Sequence, residues 1–219
     1  MIIAIDGPAG AGKSSVTNAI AAKMGIMRLD TGAMYRVIAL ACSEADVHAD
    51  DPNIGTFVDR IDLKVLDGQI LLAGRDVSQA IRTDRMSQLA SMYAAVPSVR
   101  DSLLDVQRRV AELGDFVVDG RDIGTVVFPD ASVKLFLTAS VDARAKRRHL
   151  EYGGLESGPS YEEVRASIIA RDEQDSSRKI APLRRADDAI EVDSSDLSFE
   201  ATVTHCLEVI RQQLSTSVE

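Results

Sequence analysis

The chain has 219 residues, 45% of them hydrophobic and 27% charged, which are the proportions of a globular α/β protein with a sizeable core, read as one domain carrying an insertion. A formal net charge of -9 excludes broad, sequence-independent binding to nucleic acid or to an anionic membrane surface, because both need a positive field; any bound anion must be held by a local cluster of cations. No run is long or apolar enough to span a bilayer and the N-terminus enters a strand without a basic segment and cleavage site, while Cys42 and Cys206 lie far apart with no further cysteine or histidine at ligand spacing, so a cytoplasmic protein with two reduced thiols is expected.

The first element is a short apolar strand, Ile2 to Ile5, that breaks at Asp6-Gly7 and passes through Gly10 and Gly12 into Lys13-Ser14-Ser15. This is G-x-x-x-x-G-K-[ST] between a strand and a helix, the setting in which the spacing makes a phosphate cradle. Glycines let consecutive backbone N–H groups turn inward around an anion, and the following helix directs its positive end at the same place. Gly7, Pro8, Ala9, Gly10, Ala11, Gly12, Lys13, Ser14 and Ser15 are therefore read as the nucleoside triphosphate loop. Lys13 supplies a cation for the β- and γ-phosphates, and the Ser14 hydroxyl suits a Mg²⁺ octahedron completed by water and phosphate oxygens.

Apolar spacing then predicts a helix to Met24, ended by Gly25, and a second strand from Ile26 to Leu29. Asp30 or Thr31 caps a helix from Ala33 to Glu44 that carries Tyr35 and Arg36 on its first turn, where Arg36 is either a ligand of a second phosphate or a surface arginine. Between Asp50 and Gly114 the pattern changes: Ile61 to Val65 and Gln69 to Leu72 are strands joined at Asp67-Gly68, a two-residue hairpin signal, and helices are expected over Asp84 to Ala94 and Ser98 to Leu113. Residues 50–113 are thus read as a subdomain inserted into a core of 1–49 and 114–219, with Arg82, Ser91 and Arg100 as possible ligand residues that are, singly, more often solvated surface.

Phe116 to Asp119 is a buried parallel strand whose end carries Gly120-Arg121-Asp122, and ligands of open α/β sheets collect at such carboxyl ends. Asp119 stands where a carboxylate would hold Mg²⁺ through water, or is the acid of a tight Asp-Gly turn. Val133 to Leu137 is the fourth core strand. The helix from Asp142 bears Arg144, Lys146, Arg147 and Arg148, a phosphate-binding set or a mixed-charge solvated face. A Gly-flanked lid at about 150–160 precedes a helix opened by the capping box Ser160 and Glu163 and ending in the polar string that begins at Arg171; Ala189 to Val192 makes the fifth strand, Ser198 to Leu214 the closing helix, and the tail from Ser215 is expected to fray.

DGPAGAGKSS, LDTGAMYR, DGRDIGTVVFPDA and RDEQDSSRKIAPL, in this order and spacing, resemble the bacterial cytidylate kinase family over nearly the whole chain, the last two strings being specific to that family. The resemblance implies a P-loop kinase fold, a five-stranded parallel sheet with helices on both faces, an inserted monophosphate-binding subdomain and a short lid. It implies ATP as donor and CMP or dCMP as acceptor, while Mg²⁺ is read on Ser14 and on Asp119 through water, and a lid and insertion that must move suggest a monomer. Lys13, Arg121, Arg171 and the lid-side Arg148 take the catalytic places. Thr31, Tyr35 and Arg36 match residues beside the acceptor nucleotide; Ser91, Arg100 and Asp122 match those reading the cytosine edge; Arg36, Arg121 and Arg171 match those holding its phosphate; Asp175 and Arg178 match those near its sugar. Two departures are visible: Met27-Arg28 stands in place of an aromatic before Leu-Asp-Thr-Gly, and Glu151 to Ser160 fits no familiar lid. A regulatory GTPase would need an N-K-x-D guanine reader, a string that does not occur, and a small-metabolite kinase on the same core would need a carboxylate base and no pyrimidine-reading insertion.

Overall fold

The computed structural model describes residues 1–66, 69–153 and 158–216, so the Asp67-Gly68 turn, the centre of the expected lid and the last residues of the tail lie outside the described residues. Five strands form one parallel sheet in the order β2-β6-β1-β7-β8, made of β1 (Ile2–Asp6), β2 (Met27–Asp30), β6 (Phe116–Gly120), β7 (Val133–Thr138) and β8 (Ile190–Asp193). The near-continuous apolar runs Ile3-Ala4-Ile5 and Phe116-Val117-Val118 are what a strand buried on both faces requires, and all six residues are buried. They lie side by side, Ile3 opposite Val117 and Ile5 opposite Asp119, while β1 pairs on its other edge with β7, Ile5 opposite Leu135.

Helices α1 (Lys13–Met24) and α8 (Phe199–Thr216) share a core with this sheet, in which Ile3, Ile5, Leu135 and Leu137 pack with Val16 and Ile20 of α1 and with Val203, Cys206, Leu207 and Ile210 of α8. Each buried Ile or Leu stabilises the fold by about 1.5–3 kcal/mol relative to solvent exposure. Two more helices, α6 (Val141–Glu151) and α7 (Tyr161–Ser176), meet through Ala145, Val164 and Ile168. The Ser160–Glu163 capping box opens α7. The polar string from Arg171 does not end this helix, which continues to Ser176 because Asp172 and Asp175 are satisfied by arginines from elsewhere in the fold. Neither Cys42 nor Cys206 forms a disulfide, and both are buried. Among the described residues no helix is long and apolar enough to cross a membrane.

The chain divides into two compact units, residues 1–29 with 111–219 and residues 30–110. The second unit is built on α2 (Thr31–Glu44), which the sequence reading counts with the core, together with α3 (Ile54–Val58), the antiparallel strands β3 (Leu63–Leu66), β4 (Gln69–Leu72) and β5 (Arg75–Asp76), α4 (Asp84–Tyr93) and α5 (Pro97–Ala111). Ala33, Val37 and Ala41 of α2 pack with Ile70, Leu72, Val77 and Ile81 to form its core.

Candidate active site

In the first unit the sheet order reverses at β1, and the loops leaving the carboxyl ends of β1 and β6 emerge as neighbours, the place where open α/β sheets bind ligands. The loop after β1 begins at Gly7, where a Cβ would lie 2.0 Å from the Leu137 carbonyl oxygen, so no other residue fits without moving β7. It ends at Gly12, whose left-handed backbone (φ 85°) turns the chain into α1. Lys13 is buried and its Nζ donates to the carbonyls of Gly7 and Pro8, 2.7 Å each, which folds the side chain back over the loop. Burial above all, and then the charges of Arg121 and Arg171, hold the Lys13 ammonium well below the usual lysine range, against the opposing pull of Asp119 and Asp6. Lys13 thus stands within the electrostatic reach of two arginines in an otherwise acidic chain.

Ser14 Oγ donates to Asp119 Oδ2 at 3.0 Å, which joins the start of α1 to the end of β6. The other carboxylate oxygen, Oδ1, accepts from Arg28 Nε at 3.1 Å and Nη2 at 3.0 Å. Asp6, at the end of β1, is buried and accepts the backbone N–H groups of Ile123 and Gly124, both at 2.8 Å. Burial pushes its carboxyl up to about 6 and the nearby Asp122 adds to this, while the two N–H donors and Lys13 pull the other way. The residues Asp6 holds begin a single π-helical turn, Ile123–Val127, closed by a 2.7 Å bond from Phe128 N to the Ile123 carbonyl. Such turns concentrate at functional sites. Asp122 immediately precedes it and is buried.

Arg121 donates through Nε to Asp175 Oδ2 at 2.8 Å, and Arg178 donates to Asp175 Oδ1. The buried Asp175 thus ties the loop after β6 to the end of α7, bringing together three residues that are 54 and 3 positions apart in the chain. Of the α6 cations, Arg144 reaches the phosphate loop: it is buried, its Nη1 donates to the Ala9 carbonyl at 2.9 Å and to Asp172 Oδ2 at 2.6 Å, and Asp172 Oδ1 accepts the Ala9 N–H at 3.2 Å. Both backbone groups of Ala9 are thereby fixed by α6 and α7. Arg147 donates to Ser194, and Arg148 lies over the Tyr152 ring, with Nε 2.7 Å from its hydroxyl.

In the second unit Asp30 caps α2 by accepting the Ala33 N–H at 2.8 Å, and its other oxygen pairs with Arg36 Nη2 at 3.4 Å. Thr31 is buried on the first turn. The Arg100 guanidinium lies 5.8 Å from the centre of the Tyr35 ring and donates to the Ala94 carbonyl, and both Arg100 and Ser91 are buried. Arg100 and Ser91 are therefore not solvated surface, and Tyr35 and Arg100 are brought into contact from helices far apart in sequence.

Asp6, Arg28 and Asp172 belong to this constellation without standing out in the sequence as site residues, whereas Arg144 is one of the α6 cations the sequence offers as a phosphate-binding set. Asp6 is legible as an acid ending an apolar strand; Asp172 and Arg28 carry no local signal, because their partners lie 28 and 91 positions away. A family model described as cytidylate kinase matches residues 3–212. The cytidylate kinase of Carboxydothermus hydrogenoformans is 47% identical over 215 residues, 96% of this chain and 97% of that protein. That of Mycobacterium leprae is 44% identical over 215 residues, 97% of this chain and 96% of the relative. Among solved structures, shikimate kinase from Bacteroides thetaiotaomicron aligns with a TM-score of 0.51 at 14% identity, over 96% of this chain and 98% of that one, a likeness of fold alone.

Proposed function

The chain belongs to the cytidylate kinase family, and we propose that it transfers the γ-phosphoryl group of ATP to the phosphate of CMP or dCMP, giving ADP and CDP or dCDP. An acceptor phosphate oxygen bonds to the γ-phosphorus as the bond to the β–γ bridging oxygen breaks, so charge moves from donor to acceptor and the protein's task is positioning and neutralisation. The observation that carries this reading is the glycine loop at the end of β1, over which Lys13 donates to the Gly7 and Pro8 carbonyls at 2.7 Å while Ser14 reaches Asp119 at 3.0 Å; Arg121 and Arg171 add positive charge felt at Lys13. Positive charge placed in this way suits a polyanion, whose arrival relieves the repulsion.

In this reading the loop from Gly7 to Ser15 holds the donor phosphates on its N–H groups, fixed by the Arg144–Asp172 clamp on Ala9. Lys13 exchanges its carbonyl partners for phosphate oxygens and follows the transferring group. Arg121 and Arg171 neutralise the acceptor phosphate, and Arg148 serves the donor side. Asp175 and Arg178 act near the acceptor sugar. A few-ligand Mg²⁺ site fits the residues present: Ser14 Oγ and Asp119 Oδ2 are hard oxygens 3.0 Å apart, a donor set for an ion that keeps most of its water and shares phosphate oxygens. When bound, Mg²⁺ would supply positive charge that neutralises the donor phosphates.

Cytosine presents an exocyclic amino donor beside N3 and O2; the buried carboxylate of Asp122 in the first unit suits that amino group, and the buried Ser91 and Arg100 of the second unit suit its acceptor atoms. Uracil puts a carbonyl where the amino group was and would leave buried acceptors facing each other, at a cost of roughly a few kcal/mol. A monomer carries every residue used here. ADP release measured against CMP, dCMP, UMP and AMP tests the reading: CMP and dCMP should be turned over with a kcat/KM at least about 10²-fold above UMP, and a chain that phosphorylates AMP or a hydroxy acid in preference to either would refute it.

A further inference from the structure

Arg28 has no place in the reaction as derived so far, yet its guanidinium is committed to the carboxylate next to the divalent-cation position. Its Nε and Nη2 are 3.1 and 3.0 Å from Asp119 Oδ1. Its Nη1 donates at 2.9 Å to Asn18 Oδ1, on the exposed side of α1, so the side chain is held at both ends. The pair is shielded, with the Arg28 side chain 16% and the Asp119 side chain 5% exposed, and a guanidinium–carboxylate attraction is screened far less there than at the surface.

A hydrated divalent cation on Asp119 Oδ2 meets a carboxylate whose Oδ1 is already neutralised by Arg28, and must either bind a weakened negative charge beside a like charge or draw the carboxylate away from the guanidinium. We propose that Arg28 is a built-in competitor of the metal: it occupies Asp119 until Mg²⁺ arrives with ATP, and thereby raises the Mg²⁺ concentration at which the site fills. Asn18 is the positioning residue that keeps Arg28 in reach. The inference rests on the Ser14–Asp119 metal site proposed above.

The experiment is electron paramagnetic resonance titration of Mn²⁺ into the full-length protein saturated with a non-hydrolysable ATP analogue. Removing the competing charge in Arg28→Gln should tighten Mn²⁺ binding about 3- to 10-fold, and Asn18→Ala, an exposed change that keeps the fold intact should Arg28→Gln not fold, should tighten it about 2-fold. In turnover assays the Mg²⁺ midpoint of Arg28→Gln should fall by a similar factor. Mn²⁺ binding that is unchanged or weaker in these variants would overturn the proposal, since Arg28 would then be orienting Asp119 for the metal. Failure of the underlying reading has its own signature: the analogue fails to bind, or Asp119→Asn leaves Mn²⁺ affinity at its wild-type value.

Discussion

The two units bury polarity in different ways. In the first, Asp6, Lys13, Asp119, Asp122, Arg144 and Asp175 are all buried at the ends of strands or on the helices behind them. In the second, Arg100 is the one buried charged side chain among the described residues, accompanied by Thr31, Ser87, Ser91 and Gln107. Burying charge is expensive, and six such groups in one region are tolerable because they neutralise one another or accept backbone N–H groups, as at Asp6 and Asp175. The difference separates two tasks. Moving a phosphoryl group needs preorganised charge in a dry site, whereas reading a base needs a few hydrogen-bonding groups and a shape. Apart from the base-reading Asp122, substitutions of the first unit's buried charges should therefore act on the rate, and substitutions in the second unit on acceptor affinity.

The largest effect expected is at Lys13. Lys13→Met should lower kcat by about 10³-fold or more with the fold retained, and steady-state ADP release is the check; a loss confined to KM would erase the distinction between the units. Arg121→Ala should lower kcat by roughly 10²-fold while ATP affinity, followed by calorimetry, stays within about twofold, because that charge serves the transferring group. Asp6 tests the electrostatics of the first unit through stability. Its carboxyl is pushed up to about 6, above the ordinary value of 3.8, so the folded state favours the protonated form. The stabilisation it contributes is complete below about pH 4 and lost as pH rises through about 6, a total of roughly 3 kcal/mol for a shift of this size. Asp6→Asn cannot ionise, and the wild-type advantage over it in urea unfolding should shrink by that order between pH 4 and pH 7; a gap that is constant or widens would show that Asp6 is held ionised. The smallest effect belongs to the second unit: Arg100→Met should raise the KM for CMP by about 10-fold and leave the KM for ATP unchanged.

Much of the first unit is legible in the sequence because its signals are local. The run Ile3-Ala4-Ile5 followed by Gly7 to Ser15, and Phe116-Val117-Val118 followed by Asp119, each place a buried strand and the chemistry at its end within a few residues. What is not legible depends on long-range pairing. The helix α7 runs through Asp172 and Asp175 with no apolar periodicity to announce it, since its carboxylates are satisfied by Arg144, Arg121 and Arg178. Arg148 reads like its neighbour Arg144 in sequence, yet Arg144 grips Ala9 and Arg148 lies on Tyr152, a choice made by where α6 packs. The short helix Ile54–Val58 and the π-helical turn at Ile123 are too brief for a periodic pattern, and the second is fixed by a carboxylate at the end of another strand.

The central claim is that charge in the first unit also sets the acceptor base, through Asp122. The most direct test is the ratio of kcat/KM for CMP and UMP in Asp122→Asn against wild type. An amide can donate to the uracil carbonyl and no longer offers two acceptors to the cytosine amino group, so the ratio should fall from about 10² or more to within a few-fold of unity. A wild-type ratio near unity, or an Asp122→Asn variant that keeps the full preference for CMP, would contradict the account.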